Sequence, residues 1–388
     1  MEYRIFGKTN EKVSALGFGC MRLPVVGGDM GKVDEDEARK IIRYAIDQGI
    51  NYIDTAYVYN QGQGEQIVGR ILKDGYREKV KIATKLPVWN VHNYEDMERL
   101  LDEQLENLGT DCIDFYLIHA LNKSYWPKLY KLGILDFMTK AKEKGKVKHL
   151  GFSFHDDFEV FKGIVDAFDW SFCQIQYNYV DEDFQAGRKG LEYAYSKGLG
   201  ISVMEPLRGG NLVKNLSLEA IKIMETSSKK HTPAEWGLRW VWNHPQVGVV
   251  LSGMSTMQQV VENIGYAGKS KERFMEEEKK IIAAVQAHYK SRVKVGCTGC
   301  GYCMPCPAGV QIPQCFDLYN RAYMMDDAQR ACFWYGRIED EKGKGKASDC
   351  IQCRKCEEHC PQNIAIADVL VEVKELFENK IRFGSLFS

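Results

Sequence analysis

The chain has 388 residues, a formal net charge of −1, 45% hydrophobic residues and 27% charged residues. This balance is that of a globular protein and excludes disorder over most of the chain. A net charge near zero gives no electrostatic reason to expect binding to nucleic acid or to a membrane surface. No stretch approaches the roughly 20 apolar residues of a membrane helix, and the first residues lack a signal-peptide core. We therefore expect a cytoplasmic protein with neither a nucleic-acid nor a membrane partner.

The 13 cysteines are unevenly distributed along the chain. Three of them precede residue 297, and the other ten lie between Cys297 and Cys360. A disulfide scaffold is a poor explanation, because no secretory segment is present and the chain is long enough to bury a core. The distribution predicts two domains: residues 1–285, which are poor in cysteine, and residues 286–388, which have the cysteine content of a metal-binding domain.

The first domain alternates short apolar runs with helix-patterned segments, among them residues 34–47 and 94–108. The runs are continuously apolar, which is typical of parallel strands buried on both faces. The predicted strands are residues 16–19, 52–54, 80–84, 115–119, 149–153, 172–175, 200–204 and 247–251. A doubly wound sheet would also fit this alternation, but no GxGxxG follows the first strand. Eight strand–helix units in about 270 residues favour a (β/α)8 barrel of the TIM type.

Four polar residues follow predicted barrel strands, at the end where active sites of this fold lie. They are Asp54, Tyr59, Lys85 and His119. A tyrosine phenol is a reluctant acid at neutral pH, and a nearby lysine ammonium would lower its pKa. A carboxylate would hold that lysine charged, and an imidazole can orient a carbonyl group. The four residues together predict a proton-donating device; the alternative is that they are hydrogen-bonded polar residues at strand ends.

The segments that contain these residues resemble the aldo-keto reductase family. The resemblance is carried by RIFGKTNEKVSALGFGCMRL, NYIDTAYVYNQGQGEQIVGRIL, KIATKLP and DFYLIHAL, and it extends from residue 1 to about residue 285. It implies an NAD(P)H-dependent carbonyl/alcohol oxidoreductase that needs neither metal nor flavin in the barrel. The family's catalytic Asp, Tyr, Lys and His then correspond to Asp54, Tyr59, Lys85 and His119, with Tyr59 as the acid.

The same resemblance implies nucleotide contacts at Ser153, Gln174, Met204, Ser255, Gln259 and Asn263. The chain departs from the family pattern at two places. Phe154 stands where family members have an asparagine, and His155 is the neighbour that could compensate. The basic residues that hold the 2′-phosphate of NADPH in many members fall on Gly253 and on Thr256 or Gln259. A phosphate without a guanidinium partner loses its strongest contact, so we expect NADH to bind at least as well as NADPH.

The second domain contains two runs of four cysteines, each ending in Cys-Pro. The second run has the C-x2-C-x2-C-x3-C-P spacing of bacterial ferredoxins, whereas the first has one residue fewer before its last cysteine. A zinc ribbon is the alternative, but ribbons usually show two separated CxxC pairs. We expect two 4Fe–4S clusters in a mainly α-helical, ferredoxin-like domain. The predicted ligands are Cys297, Cys300, Cys303, Cys306, Cys350, Cys353, Cys356 and Cys360.

Three further expectations concern residues in or near this domain. Cys315 and Cys332 are expected to be buried thiols rather than ligands, within a region that is helix-patterned over residues 315–325. Residues 339–349, rich in glycine and charge, predict a solvated loop. The charged run 276–280 predicts a solvated helix face.

The whole chain resembles the iron–sulfur type of aldo-keto reductase, in which a barrel reductase is fused to a dicluster ferredoxin domain. The resemblance implies hydride transfer to or from a small-molecule carbonyl or alcohol, and clusters that exchange electrons with a protein redox partner or stiffen the C-terminal region. Hydride transfer moves two electrons together whereas each cluster moves one, and no flavin motif is visible. The alternative is a non-enzymatic electron carrier or adaptor that uses the barrel as a nucleotide sensor or docking surface.

Overall fold

The computed structural model describes residues 1–29, 31–297, 303–324, 328–340, 343–360 and 362–380. The chain separates into two compact units. The first consists of Met1–Gly209 and His231–Phe274, and the second of Gly210–Lys230 and the chain from Met275 onward. The boundary between residues 285 and 286 falls inside the helix Glu276–Ser291, and the division into domains 1–285 and 286–388 stays a prediction.

The strands are β1 (Tyr3–Ile5), β2 (Lys12–Ser14), β3 (Leu16–Gly19), β4 (Tyr52–Asp54), β5 (Lys81–Leu86), β6 (Ile113–Leu121), β7 (Val147–Phe154), β8 (Phe172–Gln176), β9 (Gly200–Met204) and β10 (Val249–Ser252). The helices of the first unit are α1 (Glu35–Asp47), α2 (Gly64–Ile71), α3 (Tyr94–Leu108), α4 (Tyr125–Lys131), α5 (Ile134–Glu143), α6 (Phe158–Asp166), α7 (Gly187–Ser196), α10 (Pro233–Trp242) and α11 (Met257–Ala267). Those of the second are α8 (Asn211–Lys214), α9 (Leu218–Glu225), α12 (Glu276–Ser291), α13 (Ile312–Met324), α14 (Ala328–Gly336) and α15 (Ile366–Lys374).

Within the described residues, β3 to β10 form a closed barrel in the order β10-β3-β4-β5-β6-β7-β8-β9. Every neighbouring pair is parallel, and β10 closes the barrel by pairing with both β9 and β3. Each predicted strand contributes one barrel strand, which confirms the (β/α)8 fold. Five of the helices that connect the strands, α1, α3, α6, α10 and α11, begin at an Asp, Asn or Thr whose side chain accepts a hydrogen bond from the first turn. In α3, for example, Asn93 accepts a hydrogen bond from the Asp96 N–H, and Gly109 ends the helix in the left-handed conformation.

An N-terminal hairpin, which the sequence analysis did not predict, closes the amino end of the barrel. Strands β1 and β2 pair antiparallel, and Phe6 lies between them in the chain. Phe6 is fully buried and contacts the rings of Tyr52, Phe115 and Phe172, which lie in β4, β6 and β8. A Cβ atom at Gly200 would lie 2.8 Å from the Phe6 ring, so glycine is needed there. The amino end of the barrel is therefore filled with apolar side chains.

The second unit is helical and has a core of its own, formed in large part by α13, α14 and α15. Helix α13 matches the predicted helical region. The prediction of a solvated face at residues 276–280 is wrong for Glu278, which is fully buried. Its carboxylate accepts a hydrogen bond from the Met275 N–H at 2.7 Å, because it turns back to cap the first turn of α12.

Residues 339–349 are only in part the solvated loop that their composition predicts. Gly345 forms a parallel bridge with Val310, and Ala347 is buried. Small residues permit this close packing of the backbone despite the surrounding charge. Residues 341 and 342 lie outside the described residues. No helix in the described parts of the chain is long and apolar enough to cross a membrane.

Candidate active site

Three of the four predicted catalytic residues lie on adjacent barrel strands at their carboxyl ends. Asp54 ends β4, Lys85 lies in β5 and His119 lies in β6. The Lys85 Nζ is 2.9 Å from each Asp54 carboxylate oxygen and donates to the Thr55 carbonyl at 2.7 Å. It also donates to the Tyr59 hydroxyl at 3.4 Å. Asp54 and Lys85 are almost fully buried, at 3% and 1% exposure. The structure thus brings Asp54, Tyr59 and Lys85 into one hydrogen-bonded group.

Tyr59 is presented by a tight loop rather than by a strand. The three residues that follow it, Asn60, Gln61 and Gly62, all have positive φ angles, of 52°, 56° and 85°. Helix α2 then starts at Gly64, where a Cβ atom would lie only 2.9 Å from the Cβ of Tyr59. The neighbouring Tyr57 donates instead to Glu103 of α3 at 3.0 Å. This loop therefore determines which of the two tyrosines faces Lys85.

Burial and the ion pair act in opposite directions on the charges of this group. Burial is the largest single effect on Lys85 and lowers its pKa, but Asp54 and Tyr59 together outweigh burial, so the pKa of the lysine is raised. Burial also raises the pKa of Tyr59, and the Lys85 ammonium reduces that rise without reversing it. The lysine therefore acts on the pKa of the phenol in the expected direction, but the sequence analysis did not weigh burial against it. Desolvation of the tyrosinate is the larger effect.

His119 is held as a neutral imidazole. Burial, reinforced by the Lys85 charge, lowers the pKa of His119 to about 3. Its Nδ1 atom is buried and has no hydrogen-bond partner among the described residues. The centroid of the imidazole ring lies 5.0 Å from that of Trp89 and 6.4 Å from that of Tyr59. A neutral imidazole has one N–H group, so it can donate one hydrogen bond to a substrate oxygen while the phenol remains the acid.

The predicted contacts for the nicotinamide end of the nucleotide lie in β7, β8 and β9. Ser153 Oγ accepts a hydrogen bond from the Ala120 N–H at 2.7 Å. The side-chain amide of Gln174 approaches the Met204 sulfur at 3.5 Å, while its Oε1 is buried and lacks a partner among the described residues. An orphaned amide oxygen of this kind fits the amide N–H of a carboxamide. Phe154, at the position of the family's asparagine, is fully buried and offers no hydrogen bond.

The predicted contacts for the adenosine end lie just before α11 and within it. The Ser255 N–H donates to Gln259 Oε1 at 2.8 Å, and Asn263 Nδ2 donates to Ser252 Oγ at 3.2 Å. Thr256 caps the helix by accepting from the Gln259 N–H. Gln259 thus stabilises the first turn of α11, and Asn263 ties this helix to β10.

Arg22 lies at the same barrel end and was missed by the sequence analysis. A Cβ atom at Gly209 would lie 3.1 Å from Arg22 Nη2, and one at Gly253 would lie 3.4 Å from Arg22 Cβ. The arginine therefore runs beside the loops that follow β9 and β10. It is exposed and forms no ion pair with any described residue. The available signal was its position just after the first barrel strand, at the end where ligands bind.

The predicted metal ligands lie in the second unit, except that Cys300 falls outside the described residues. Six of them pack, partly buried, against the core of this unit: Cys297, Cys303, Cys306, Cys350, Cys356 and Cys360. Cys353 is exposed. Among the described residues no three His, Cys, Asp or Glu side chains converge on a single metal ion. A cubic cluster does not require such convergence, because each thiolate binds a different iron atom.

The two runs of cysteines approach each other at Cys306. Burial raises the pKa of Cys356, and the thiols of Cys306 and Cys350 raise it further. The last cysteine of the first run is therefore close enough to the second run to act on it electrostatically. Cys315 is fully buried, and burial raises its pKa to about 12, as suits an inert thiol.

Comparison with known proteins agrees with this arrangement. Residues 15–287 match the Aldo/keto reductase family. The chain belongs to this family. Residues 296–365 match the 4Fe-4S dicluster domain, so the reductase barrel is followed by an iron–sulfur domain.

Relatives and solved structures share the barrel part of the chain. Probable aldo-keto reductase 1 of Glycine max is 28% identical over 294 residues, covering 67% of this chain and 82% of that protein. L-galactose dehydrogenase of Arabidopsis thaliana is 27% identical, covering 68% and 87%. An aldo-keto reductase from Bacillus halodurans, in its holo form, has a TM-score of 0.61 at 26% identity, covering 73% and 96%. An aldo-keto reductase from Klebsiella pneumoniae in complex with NADPH shares the fold, with a TM-score of 0.60 at 21% identity, covering 74% and 96%.

The lowered pKa of His119 predicts that its ring stays neutral between about pH 5 and 8, where an ordinary histidine titrates. Nitrogen-15 NMR of the histidine rings, with the His119 signal assigned by its loss in His119→Asn, would measure this. A ring that titrates with a midpoint near 6.5 would contradict the assignment of a neutral imidazole.

Proposed function

We propose that this aldo-keto reductase is an NAD(P)H-dependent oxidoreductase that reduces the carbonyl group of a small molecule, or oxidises the corresponding alcohol, with Tyr59 as the proton donor. The observation that carries the proposal is the buried Lys85 ammonium, which bonds both to the Asp54 carboxylate and to the Tyr59 hydroxyl. An adaptor with no catalytic role would have no need to bury this pair, since removing two charges from water is costly.

Each residue of the group has a separate task in this mechanism. Asp54 keeps Lys85 charged and fixes its position. Because burial keeps the pKa of Tyr59 high, the phenol still carries its proton when the substrate arrives. The Lys85 ammonium then stabilises the tyrosinate that forms as the proton moves to the carbonyl oxygen. Neutral His119 orients that oxygen by a hydrogen bond.

The nucleotide supplies the hydride when it is bound. Gln174 and Ser153 would hold its carboxamide, and Met204 would lie against the nicotinamide ring. The adenosine end would be held by Ser255, Gln259 and Asn263. Gln259 and Asn263 would then break the hydrogen bonds they now form within the chain and form new ones to the ligand. None of these six side chains carries a positive charge, and this supports our proposal that NADH binds at least as well as NADPH.

We also propose that the second domain holds two 4Fe–4S clusters and passes electrons to a protein partner, in the cytoplasm. In two-cluster ferredoxins the fourth cysteine of each run ligates the other cluster. One cluster would then use Cys297, Cys300, Cys303 and Cys360, and the other Cys350, Cys353, Cys356 and Cys306. The bridge between Val310 and Gly345, which joins the segment after the first run to the segment before the second, supports this crossed arrangement.

Replacing Tyr59 by phenylalanine tests the proton donor. We expect Tyr59→Phe to lose carbonyl reduction by about 100- to 10,000-fold, the usual contribution of a general acid. Nucleotide binding should hardly change, because only the hydroxyl is removed. Turnover with a panel of carbonyl compounds under anaerobic conditions measures the first effect, and a fluorescence titration the second. Wild-type turnover in Tyr59→Phe would show that another group donates the proton.

The nucleotide preference can be measured by titrating the protein with each coenzyme. We expect NADH to bind at least as tightly as NADPH. A preference for NADPH of about tenfold, or about 1.4 kcal/mol, would contradict this and would mean that an unassigned cation holds the 2′-phosphate. The variant Arg22→Met would then show whether Arg22 is that cation.

The crossed ligation predicts which cluster depends on Cys306. We expect Cys306→Ala to damage the cluster of the distant run, Cys350 to Cys356, because that cluster loses its fourth thiolate. Cys315→Ala, which removes a buried thiol that is not a ligand, is the matched control. Iron counting and low-temperature EPR would distinguish the clusters. A defect confined to the cluster of Cys297 and Cys303 would overturn the crossed assignment.

A further inference from the structure

A network of four buried polar side chains, those of Glu65, Thr84, Gln104 and Tyr116, packs against the backbone of Lys85. Thr84 Oγ1 and Gln104 Nε2 both donate to Glu65 Oε1, each at 2.5 Å. Gln104 Nε2 also donates to the carbonyl oxygen of Lys85 itself at 3.0 Å, and the Tyr116 hydroxyl donates to Gln104 Oε1 at 2.8 Å. Glu65 is 1% exposed and the other three side chains are fully buried. Nothing in the proposed reaction uses these groups, although burying them is costly.

This hydrogen-bonded network lies on the helix side of the strands, opposite Asp54, Tyr59, Lys85 and His119. Successive strand residues point to opposite faces, so Thr84 and Lys85 face different sides of β5. Lys85 reaches Asp54 within the barrel, whereas Thr84 reaches Glu65 of α2 and Gln104 of α3. The strand register pairs Thr84 with Tyr116 of β6, three residues before His119. The network therefore joins β5, which carries Lys85, to β6, which carries His119.

Glu65 also joins these elements to Tyr59. The loop after Tyr59 passes through three left-handed residues before α2 begins, and no strand holds it. Glu65, in the first turn of α2, is tied to β5 through Thr84 and to α3 through Gln104. Its hydrogen bonds thereby fix the end of the Tyr59 loop against the strand that carries Lys85.

We propose that Glu65 is a positioning residue, which sets the distance between the Tyr59 hydroxyl and the Lys85 ammonium by accepting the hydrogen bonds of Thr84 and Gln104. The inference rests on the proposed function, because it assumes that these two groups perform the proton transfer. Shifts of about 1 Å in such groups are enough to reduce rates by about 100-fold.

Glu65 acts through its acceptor oxygen Oε1. The hydrogen bonds from Thr84 and Gln104 both converge on this atom. One carboxyl oxygen can accept two hydrogen bonds whether or not the group is ionised. Burial raises the pKa of Glu65, and the hydrogen bonds from Thr84, Gln104 and Asn107 oppose this rise. Glutamine offers the same carbonyl oxygen and should replace it.

The test compares Glu65→Leu, which removes the acceptor at similar volume, with Glu65→Gln, which keeps it. Gln66→Leu is the matched control, because Gln66 is the adjacent residue of α2 and bonds to Asn107 of α3 at the surface. Turnover number, KM for the carbonyl substrate, nucleotide affinity and melting temperature are measured for each variant. We expect kcat to fall by at least about tenfold in Glu65→Leu, with nucleotide affinity unchanged. Glu65→Gln and Gln66→Leu should remain within about threefold of the wild type.

Three results would overturn the proposal. They are a wild-type kcat in folded Glu65→Leu, a loss in Glu65→Gln as large as that in Glu65→Leu, and a loss that appears equally in Gln66→Leu. If Glu65→Leu does not fold, Thr84→Val removes one of the two donors without changing shape, and it should lower kcat while leaving nucleotide affinity intact. A wild-type kcat in Thr84→Val would then overturn it. Failure of the proposed function is distinguishable, because it would appear as undiminished turnover in Tyr59→Phe.

Discussion

The buried ion pair between Lys85 and Asp54 is the interaction on which the candidate site depends. Both side chains are removed from water, and an ammonium ion in such a place is tolerated only with a carboxylate and further acceptors around it. The parallel register of β4 and β5 supplies the carboxylate, and the Thr55 carbonyl supplies an additional acceptor. Removing one partner from a buried pair costs about 3–5 kcal/mol. The pair is therefore a costly arrangement, and its orientation toward Tyr59 indicates a chemical reason for keeping it.

The amino end of the barrel contributes packing, and the carboxyl end carries the polar groups of the candidate site. At the amino end, the N-terminal hairpin places Phe6 among aromatic and aliphatic side chains of the strands. At the carboxyl end, His119 Nδ1 and Gln174 Oε1 are buried without partners in the described chain. Unpaired polar atoms destabilise a fold unless a ligand satisfies them. Their placement where the substrate and nucleotide are proposed to bind is what a preformed binding site requires.

Sequence reasoning recovered the features that depend on periodicity and on residue type at a strand end. The eight strands, the fold and the grouping of Asp54, Tyr59 and Lys85 follow from those signals. It failed where the outcome depends on a balance or on a distant contact. The raised pKa of Tyr59 reflects desolvation exceeding the effect of a lysine, which cannot be weighed without the depth of burial. Glu278 was expected in solvent because its neighbours are charged, yet capping draws it inward. The hydrogen bonds of Glu65 join it to residues 19 and 39 positions away, so no local pattern in the sequence indicates them.

In the proposed mechanism, the Lys85 charge, held by Asp54, enables Tyr59 to donate the proton that accompanies hydride transfer to the carbonyl. The most direct test is the single-turnover rate of NADH oxidation by a carbonyl substrate in Lys85→Met, compared with the wild type under anaerobic conditions. We expect the variant to bind NADH but to transfer hydride at least about 100-fold more slowly, because the tyrosinate loses its counter-charge. A variant that binds NADH and oxidises it at the wild-type rate would contradict this mechanism.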